Sequence, residues 1–373
     1  MHSHESDYTL VGIIGVIVLL GLVFLSSASA PLAYSQHGDA YFFVKNQILK
    51  GLLPGLVLFF FFCRFDYQKL KKLAFPFLIG TIVLLLLVFI PGIGSQSGTF
   101  ARSWINIGGF SIQPSEIVKL TFLIYLAAWL EKRNEKKVKD IRYGLLPFLA
   151  LLGTVAVLIV LQPDIGTLSI IIVTSIVVYF VGGGKISHLF GLGVVGVLGA
   201  FGAIKFSQHI RERFTVFLHP EIDPAGIGYH LKQAILAVGS GGFFGLGLGH
   251  SRQKFLYLPE VAGDSIFPVI AEEVGFFFSV LFIILFLALA WRGIKLAQET
   301  PDRFGRLLVV GIVVWIIFQF FINIGGMIGI MPMTGVPLPF VSYGGTAMMI
   351  LLAAAGVMVN ISKSQIQNHK LQK

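Results

Sequence analysis

The sequence predicts an all-α polytopic membrane protein: about ten transmembrane helices, with one long extracytoplasmic loop between helices 7 and 8. Three observations carry this. Of the 373 residues, 55% are hydrophobic and 12% charged, where a soluble globular domain is about a quarter charged. Several apolar runs reach the roughly 20 residues a helix needs to cross a bilayer. Lys and Arg then gather in alternate loops, as they do on the cytoplasmic side of a membrane. A mean hydropathy of +0.85 excludes both a soluble enzyme of ordinary composition and a disordered chain.

Taken in order, the expected spans are 10–27, 42–62, 73–90, 114–130, 145–161, 165–181, 186–206, 266–291, 307–330 and 344–361. The polar start, Met1 to Tyr8, has no basic n-region. The first span therefore reads as retained rather than as a cleaved signal. One face collects Arg64, Lys69, Lys71 and Lys72, then 132–142, Lys185, Arg292 to Arg306 and the C-terminal lysines, the majority of the 28 Lys and Arg. That face is cytoplasmic by the charge rule, and both termini lie on it. Span seven steps through Gly196, Gly199 and Gly202, a spacing that invites close approach of a neighbouring helix. No internal repeat and no soluble domain is visible, so residues 1–373 form a single integral membrane domain.

The net charge of +10 belongs to loops facing anionic headgroups. Nucleic acid is not expected as a partner, because no basic stretch is interleaved with stacking aromatics. The single cysteine, Cys63, precludes an internal disulfide and a multi-thiolate metal site. None of the nine histidines has a metal-ligand spacing.

The opposite, extracytoplasmic face carries the unusual chemistry. It holds a glycine-rich turn at 91–98, Arg102, the Gln162–Pro163–Asp164 corner and the loop 207–265. So long a loop implies structure or function of its own, and its stretch 229–238 reads as an interfacial amphipathic helix. Asp264 closes the loop just before span eight. It suits either a helix N-cap or a general base where lipid meets water. Glu272 and Glu273 follow inside the span, as structural hydrogen-bond partners or as catalytic groups. Glu116 and Lys119, three apart on one helical face, suit an ion pair, structural or substrate-contacting. Asp164 can be read simply as the cap of span six. Arg102, Arg213, Lys232, Arg252 and Lys254, with glycine-rich backbone at 239–249, form a scatter of cations suited to a pyrophosphate.

Several motifs in order then resemble one family. They are Gln113–Pro–Ser–Glu116, Gln162–Pro–Asp164, Gly239–Ser–Gly–Gly242, Gly245–Leu–Gly–Leu–Gly249, Gln253–Lys254, Leu258–Pro–Glu260, Asp264 and Ala271–Glu–Glu273. A C-terminal signature follows with Asn323, Gly329, Pro332, Gly335, Pro337, Pro339 and Ser342–Tyr–Gly–Gly–Thr346. Together they resemble the SEDS family (shape, elongation, division and sporulation) over nearly the whole chain. Ser251–Arg–Gln–Lys254 leans toward the division branch, FtsW-like, although 335–339 reads equally as elongation. Two stretches depart from the family pattern: Ala262–Gly263–Asp264–Ser265 stands where His–Thr–Asp–Phe is usual, and Tyr229–His230 where Tyr–Gln is usual.

The resemblance implies a peptidoglycan glycosyltransferase that polymerises lipid II into glycan strands at the outer face of the bacterial cytoplasmic membrane. It implies a class B penicillin-binding protein as crosslinking partner. Asp264 matches the family's essential acid, and Arg102, Glu116, Lys119, Asp164, Arg213, Gln233, Lys254 and Ser342 match its recurring polar positions. Asp264 is expected to activate the acceptor sugar's hydroxyl, while Arg102, Lys119, Arg213 and Lys254 meet the leaving pyrophosphate. No cofactor is demanded; a divalent cation, Mg²⁺ or Mn²⁺, held by a carboxylate is the one addition left open, with its ligands unassigned. A lipid II flippase and a non-catalytic scaffold for the transpeptidase are the rival readings.

Overall fold

A computed structural model describes residues 7–95, 103–107 and 110–371. Twelve helices of more than two turns are labelled here. They are α1 (Tyr8–His37), α2 (Phe42–Arg64), α3 (Tyr67–Leu87), α4 (Pro114–Glu131), α5 (Ile141–Val160) and α6 (Ile165–Val181). After them come α7 (Ile186–Phe206), α8 (Gln208–Leu218), α9 (Ile227–Ser240), α10 (Ile266–Glu299), α11 (Arg303–Met327) and α12 (Gly345–Leu371). Seven of these, α1, α2, α3, α5, α10, α11 and α12, are long and apolar enough to span a membrane. The three remaining expected spans coincide with α4, which carries buried charges, and with α6 and α7, whose apolar lengths are shorter.

Helix ends follow local chemistry. Asp7, Asp164 and Asp302 cap α1, α6 and α11 by accepting the N–H of Leu10 (3.1 Å), Thr167 (3.1 Å) and Gly305 (2.9 Å). Pro114 opens α4, where its missing N–H costs nothing. α1 stops at Gly38, whose φ of +69° is the left-handed C-terminal geometry.

The bundle has two chemically distinct ends. At one, Asp7 pairs with Arg292 (2.6 Å), Lys71 with Glu131, and Tyr67 donates to Asp302. Arg303 ties this end together by donating to the carbonyls of Arg133 and Gly182. The other end holds the α5–α6 corner, the 207–265 segment and the 328–344 turn. It also holds a small antiparallel sheet, absent from the expectation: β1 (Gly94–Ser95), β2 (Trp104–Ile107) and β3 (Phe110–Ile112). The register pairs Ser95 with Trp104 and Ile105 with Ile112. α11 and α12 are the most buried of the apolar helices and form the centre, with α4 packed beside them. Trp315, Phe320 and Phe286 fill the core there.

Within 207–265 stand α8 and α9, and α9 contains the expected amphipathic stretch. The glycine stripe of span seven is a correction. A β-carbon added at Gly191, Gly193, Gly196, Gly199 or Gly202 would meet nothing within 4 Å. Within this chain those glycines face outward rather than against a neighbouring helix.

Candidate active site

The first question for Asp264 is whether α10 uses it as a cap. The cap position is Ser265, which makes no side-chain cap bond. Asp264 receives no hydrogen bond from the first turn of α10 among the described residues. Its carboxylate is therefore available for other work. Burial pushes its pKa up to about 7, the Glu260 carboxylate pushes the same way, and the Arg213 guanidinium opposes both. Asp264 nonetheless keeps an intermediate exposure.

Arg213 arrives from α8 and is anchored by donating to the Met333 carbonyl at 3.1 Å. Burial pulls its pKa down while Asp264 and Asp164 pull it back up, so both carboxylates share one guanidinium. Gly335, at φ +72°, makes room for this junction. A β-carbon there would sit 3.8 Å from the Arg213 guanidinium and 3.9 Å from the Asp264 carboxylate. Asp164 does cap α6, as the simpler reading held, but its second oxygen also accepts from Ser115 (3.0 Å) and Gln113 (3.4 Å).

Ser265 stands between Asp264 and His230. Its hydroxyl is 2.5 Å from Nε2 of His230 and a long 3.5 Å from Oδ1 of Asp264. Burial, then Arg213, lower the pKa of His230 to about 4, against a hydrogen bond to the Pro259 backbone, so the ring is neutral at pH 7. His230, a position that departs from the family pattern, thus sits one hydroxyl away from Asp264.

What fixes the Asp264 backbone is the C-terminal signature. Asn323 donates to the carbonyls of Asp264 (2.7 Å) and Val336 (2.8 Å). The Ser342 hydroxyl donates to the Gly263 carbonyl (2.6 Å) and accepts from the Leu338 N–H (2.8 Å). The Tyr343 N–H bonds the Ala262 carbonyl at 2.8 Å. Ser342 is thereby committed to positioning residues 262–264. Gln47 braces the same turn, donating to the Ser342 carbonyl and accepting from the Gly344 N–H.

Glu116, Lys119 and Lys254, also expected in the site, have internal partners. Glu116 and Lys119 pair at 2.7 Å with side chains 2% exposed. Lys119 donates to Gln319 (2.9 Å) and lies 5.0 Å above the Trp315 ring, and Gln319 donates to the Pro337 carbonyl. Lys254 is buried against Glu273 (2.7 Å) and Ser27 (3.1 Å). Glu272 accepts from Ser240, Ser251 and the N–H groups of Arg252 and Gln253, tying the loop to α10. Gln233 is half-buried on α9, one turn from His230. Arg102 lies outside the described residues. Of the three described cations expected at the pyrophosphate, Lys119, Arg213 and Lys254, Arg213 is the one whose field reaches Asp264.

The glycine-rich stretch has a different duty from an anion nest. α10 breaks at Gly275, where φ is +76°. The 241–247 backbone crosses this break and pairs with it. Leu246 and Gly247 donate to the carbonyls of Glu272 and Glu273, and Phe276 donates to Gly242. Sequence reasoning missed His230 as a site member because it is near Asp264 only through the fold, and Glu260, four residues before Asp264, because only the turn at 260–265 shows that its carboxylate acts on Asp264. Among the described residues no three His, Cys, Asp or Glu side chains converge as a metal-ligand set.

Comparison with known proteins decides the family. The FtsW/RodA/SpoVE family model, described as "Cell cycle protein", matches residues 8–367. This chain belongs to that family. It is 40% identical over 358 residues to stage V sporulation protein E of Bacillus subtilis, covering 96% of this chain and 97% of that one. It is 38% identical to the probable peptidoglycan glycosyltransferase FtsW of Geobacter sp. strain M18, covering 93% and 94%. Among solved structures, one described as structural coordination of polymerization and crosslinking by a peptidoglycan synthase complex superposes with TM-score 0.81. It is 29% identical and covers 97% of this chain and 99% of that one. RodA of Thermus thermophilus superposes with TM-score 0.71 at 28% identity, covering 97% and 98%.

Proposed function

We propose that this FtsW/RodA/SpoVE-family chain is a peptidoglycan glycosyltransferase that polymerises lipid II, with Asp264 as general base. The observation that carries the reading is the uncapped, partly exposed Asp264 carboxylate, held near pKa 7 beside Arg213. A base whose pKa lies near the working pH is the efficient one. The C4 hydroxyl of the acceptor's N-acetylglucosamine gives its proton to Asp264 as its oxygen bonds the donor's anomeric carbon. The bond from that carbon to the lipid pyrophosphate breaks, and the leaving group departs with the electron pair. Arg213 supplies positive charge where the phosphate charge develops. Displacement in one step inverts the anomeric centre.

Glu260 is a second acid beside Asp264. A divalent cation would draw on these two carboxylates, taking its remaining ligands from diphosphate and water, as Mg²⁺ does. The site end then faces outside the cytoplasmic membrane, with ten spans and both termini inside. The relative solved in a complex of polymerisation and crosslinking supports a class B penicillin-binding protein as partner. FtsW and SpoVE relatives at 38–40% identity support the division and sporulation side of the family.

The test is purified full-length chain, alone and with its transpeptidase partner, given labelled lipid II. Asp264→Ala is expected to lower polymerisation by about 10²–10⁴-fold while remaining folded and partner-bound. Normal glycan synthesis by that variant would overturn the assignment. Retained polymerisation with lost precursor translocation would favour a transporter.

A further inference from the structure

At the end of the bundle away from Asp264 lies a cavity of about 580 Å³, between the start of α5 and the start of α7. Lys139, Arg142 and Lys185 supply its charge, Ser187 a hydroxyl, and Ile141 and Leu145 an apolar rim. The one carboxylate in the lining, Asp140, already accepts from the N–H groups of Arg142 (2.8 Å) and Tyr143 (3.0 Å). Lys139 meets Glu135 at 3.4 Å in a largely exposed pair, which is worth little. Neither Arg142 nor Lys185 pairs with a carboxylate among the described residues. His188 closes the buried side, its Nδ1 2.9 Å from the Tyr179 hydroxyl, which donates to the Val138 carbonyl. The lining is therefore a built concavity with a surplus of cations.

Its depth and flanks say what kind of anion fits. α5 runs 20 residues from this cavity to the Asp164 corner, about 30 Å of helix and so about one hydrocarbon thickness. The cavity thus stands at headgroup level in the leaflet opposite Asp264. Below it the two flanking helices present apolar side chains to the outside. Ile186 and Phe190 are 77% and 78% exposed, and Ile141 and Leu146 more than half. Past Phe190, α7 continues with exposed Val194, Leu198 and Phe201 between glycines that have open space around them. An open cationic concavity continuous with exposed apolar helix faces suits a phosphate that carries acyl chains better than a soluble ion, because basic pockets between helices capture anionic headgroups.

We propose that this cavity binds the phosphodiester headgroup of an anionic phospholipid, its acyl chains lying along α5 and α7. The test is native mass spectrometry of the purified full-length chain titrated with phosphatidylglycerol or phosphatidylcholine. Wild type is expected to retain one phosphatidylglycerol at least tenfold more tightly than phosphatidylcholine. Arg142→Gln/Lys185→Gln should erase that preference, and Lys295→Gln, which removes an exposed cation elsewhere at the same end, should keep it. Gly191→Trp gives an independent arm, filling the cavity without altering charge from a position with open space around it. It should also lower phosphatidylglycerol retention about tenfold. Equal retention of the two lipids, undiminished preference in the folded double variant, or undiminished phosphatidylglycerol retention in Gly191→Trp would overturn the proposal. Displacement of the lipid by millimolar inorganic phosphate would assign the concavity to a soluble anion instead.

Discussion

Asp264 illustrates how one side chain is tuned by burial, by an acid one turn away and by a distant arginine. Its pKa of about 7 against an ordinary 3.8 means the native state holds a proton that the unfolded chain has released. The contribution of this group to stability therefore falls as pH rises from about 4 through 7 and is level above. Asp264→Asn should be more thermostable than wild type above pH 7, with the gap closing toward pH 4. The ceiling is about 1.4 kcal/mol per unit of pKa separation, and the residue's partial exposure lowers it. Activity should run the other way, because the base must be ionised. Polymerisation should rise with pH through about 7. Glu260→Gln should move that limb to lower pH by removing a like charge, and Arg213→Gln to higher pH by removing an opposite one. Initial rates over a pH series read both shifts; coincident limbs in all three proteins would refute the coupling.

Among the elements, glycine acts in two opposite ways. At Gly275 and Gly245 the backbone is left-handed and another backbone passes close. A β-carbon at Gly245 would lie 2.1 Å from the Glu273 carbonyl oxygen, and one at Gly275 2.2 Å from the Gly245 nitrogen. On α7 the glycines have open space around them. Gly275→Ala and Gly245→Ala should each destabilise by about 1–3 kcal/mol or more, seen as a lowered melting temperature in detergent. Gly196→Ala and Gly199→Ala should be neutral or stabilising by about 0.5–1 kcal/mol each, unless a partner helix occupies that face. The turns that present Asp264 also carry strain. Glu260 and Phe340 adopt φ of +52° and +64°, a conformation non-glycine residues hold only where surrounding contacts impose it.

Across the whole molecule, buried charge links the membrane core to the site. The Glu116–Lys119 pair on α4 connects through Gln319 on α11 to the Pro337 carbonyl, two residues from Gly335. Removing one partner of a buried pair leaves an uncompensated charge and costs about 3–5 kcal/mol. Glu116→Gln should therefore lower folded yield and melting temperature by that order. Glu116→Leu/Lys119→Met should recover much of the stability, because the pair then leaves no orphan. Activity in the stabilised double variant separates a purely structural pair from one that substrate touches: full recovery of polymerisation indicates structure alone.

By itself the sequence determined the membrane class, the helix positions, the amphipathic α9 and the family, because apolar run length, charge alternation and ordered motifs are local or linear signals. It also singled out Asp264, Arg213 and Asp164, which converge electrostatically. Tertiary structure alone decided whether each motif residue faces the site or the interior. Lys119 and Lys254, equal to Arg213 as loop or helix-end cations in the sequence, are spent on Glu116 and Glu273. Ser342 and Asn323 are clamps on the Asp264 segment, and the 239–249 glycines serve a backbone crossing at the α10 kink. Apart from Glu116–Lys119, a helical pair the sequence itself offers, these pairings and close approaches join residues 19 or more positions apart, and a free-energy term that depends on separation in space has no trace in their order along the chain.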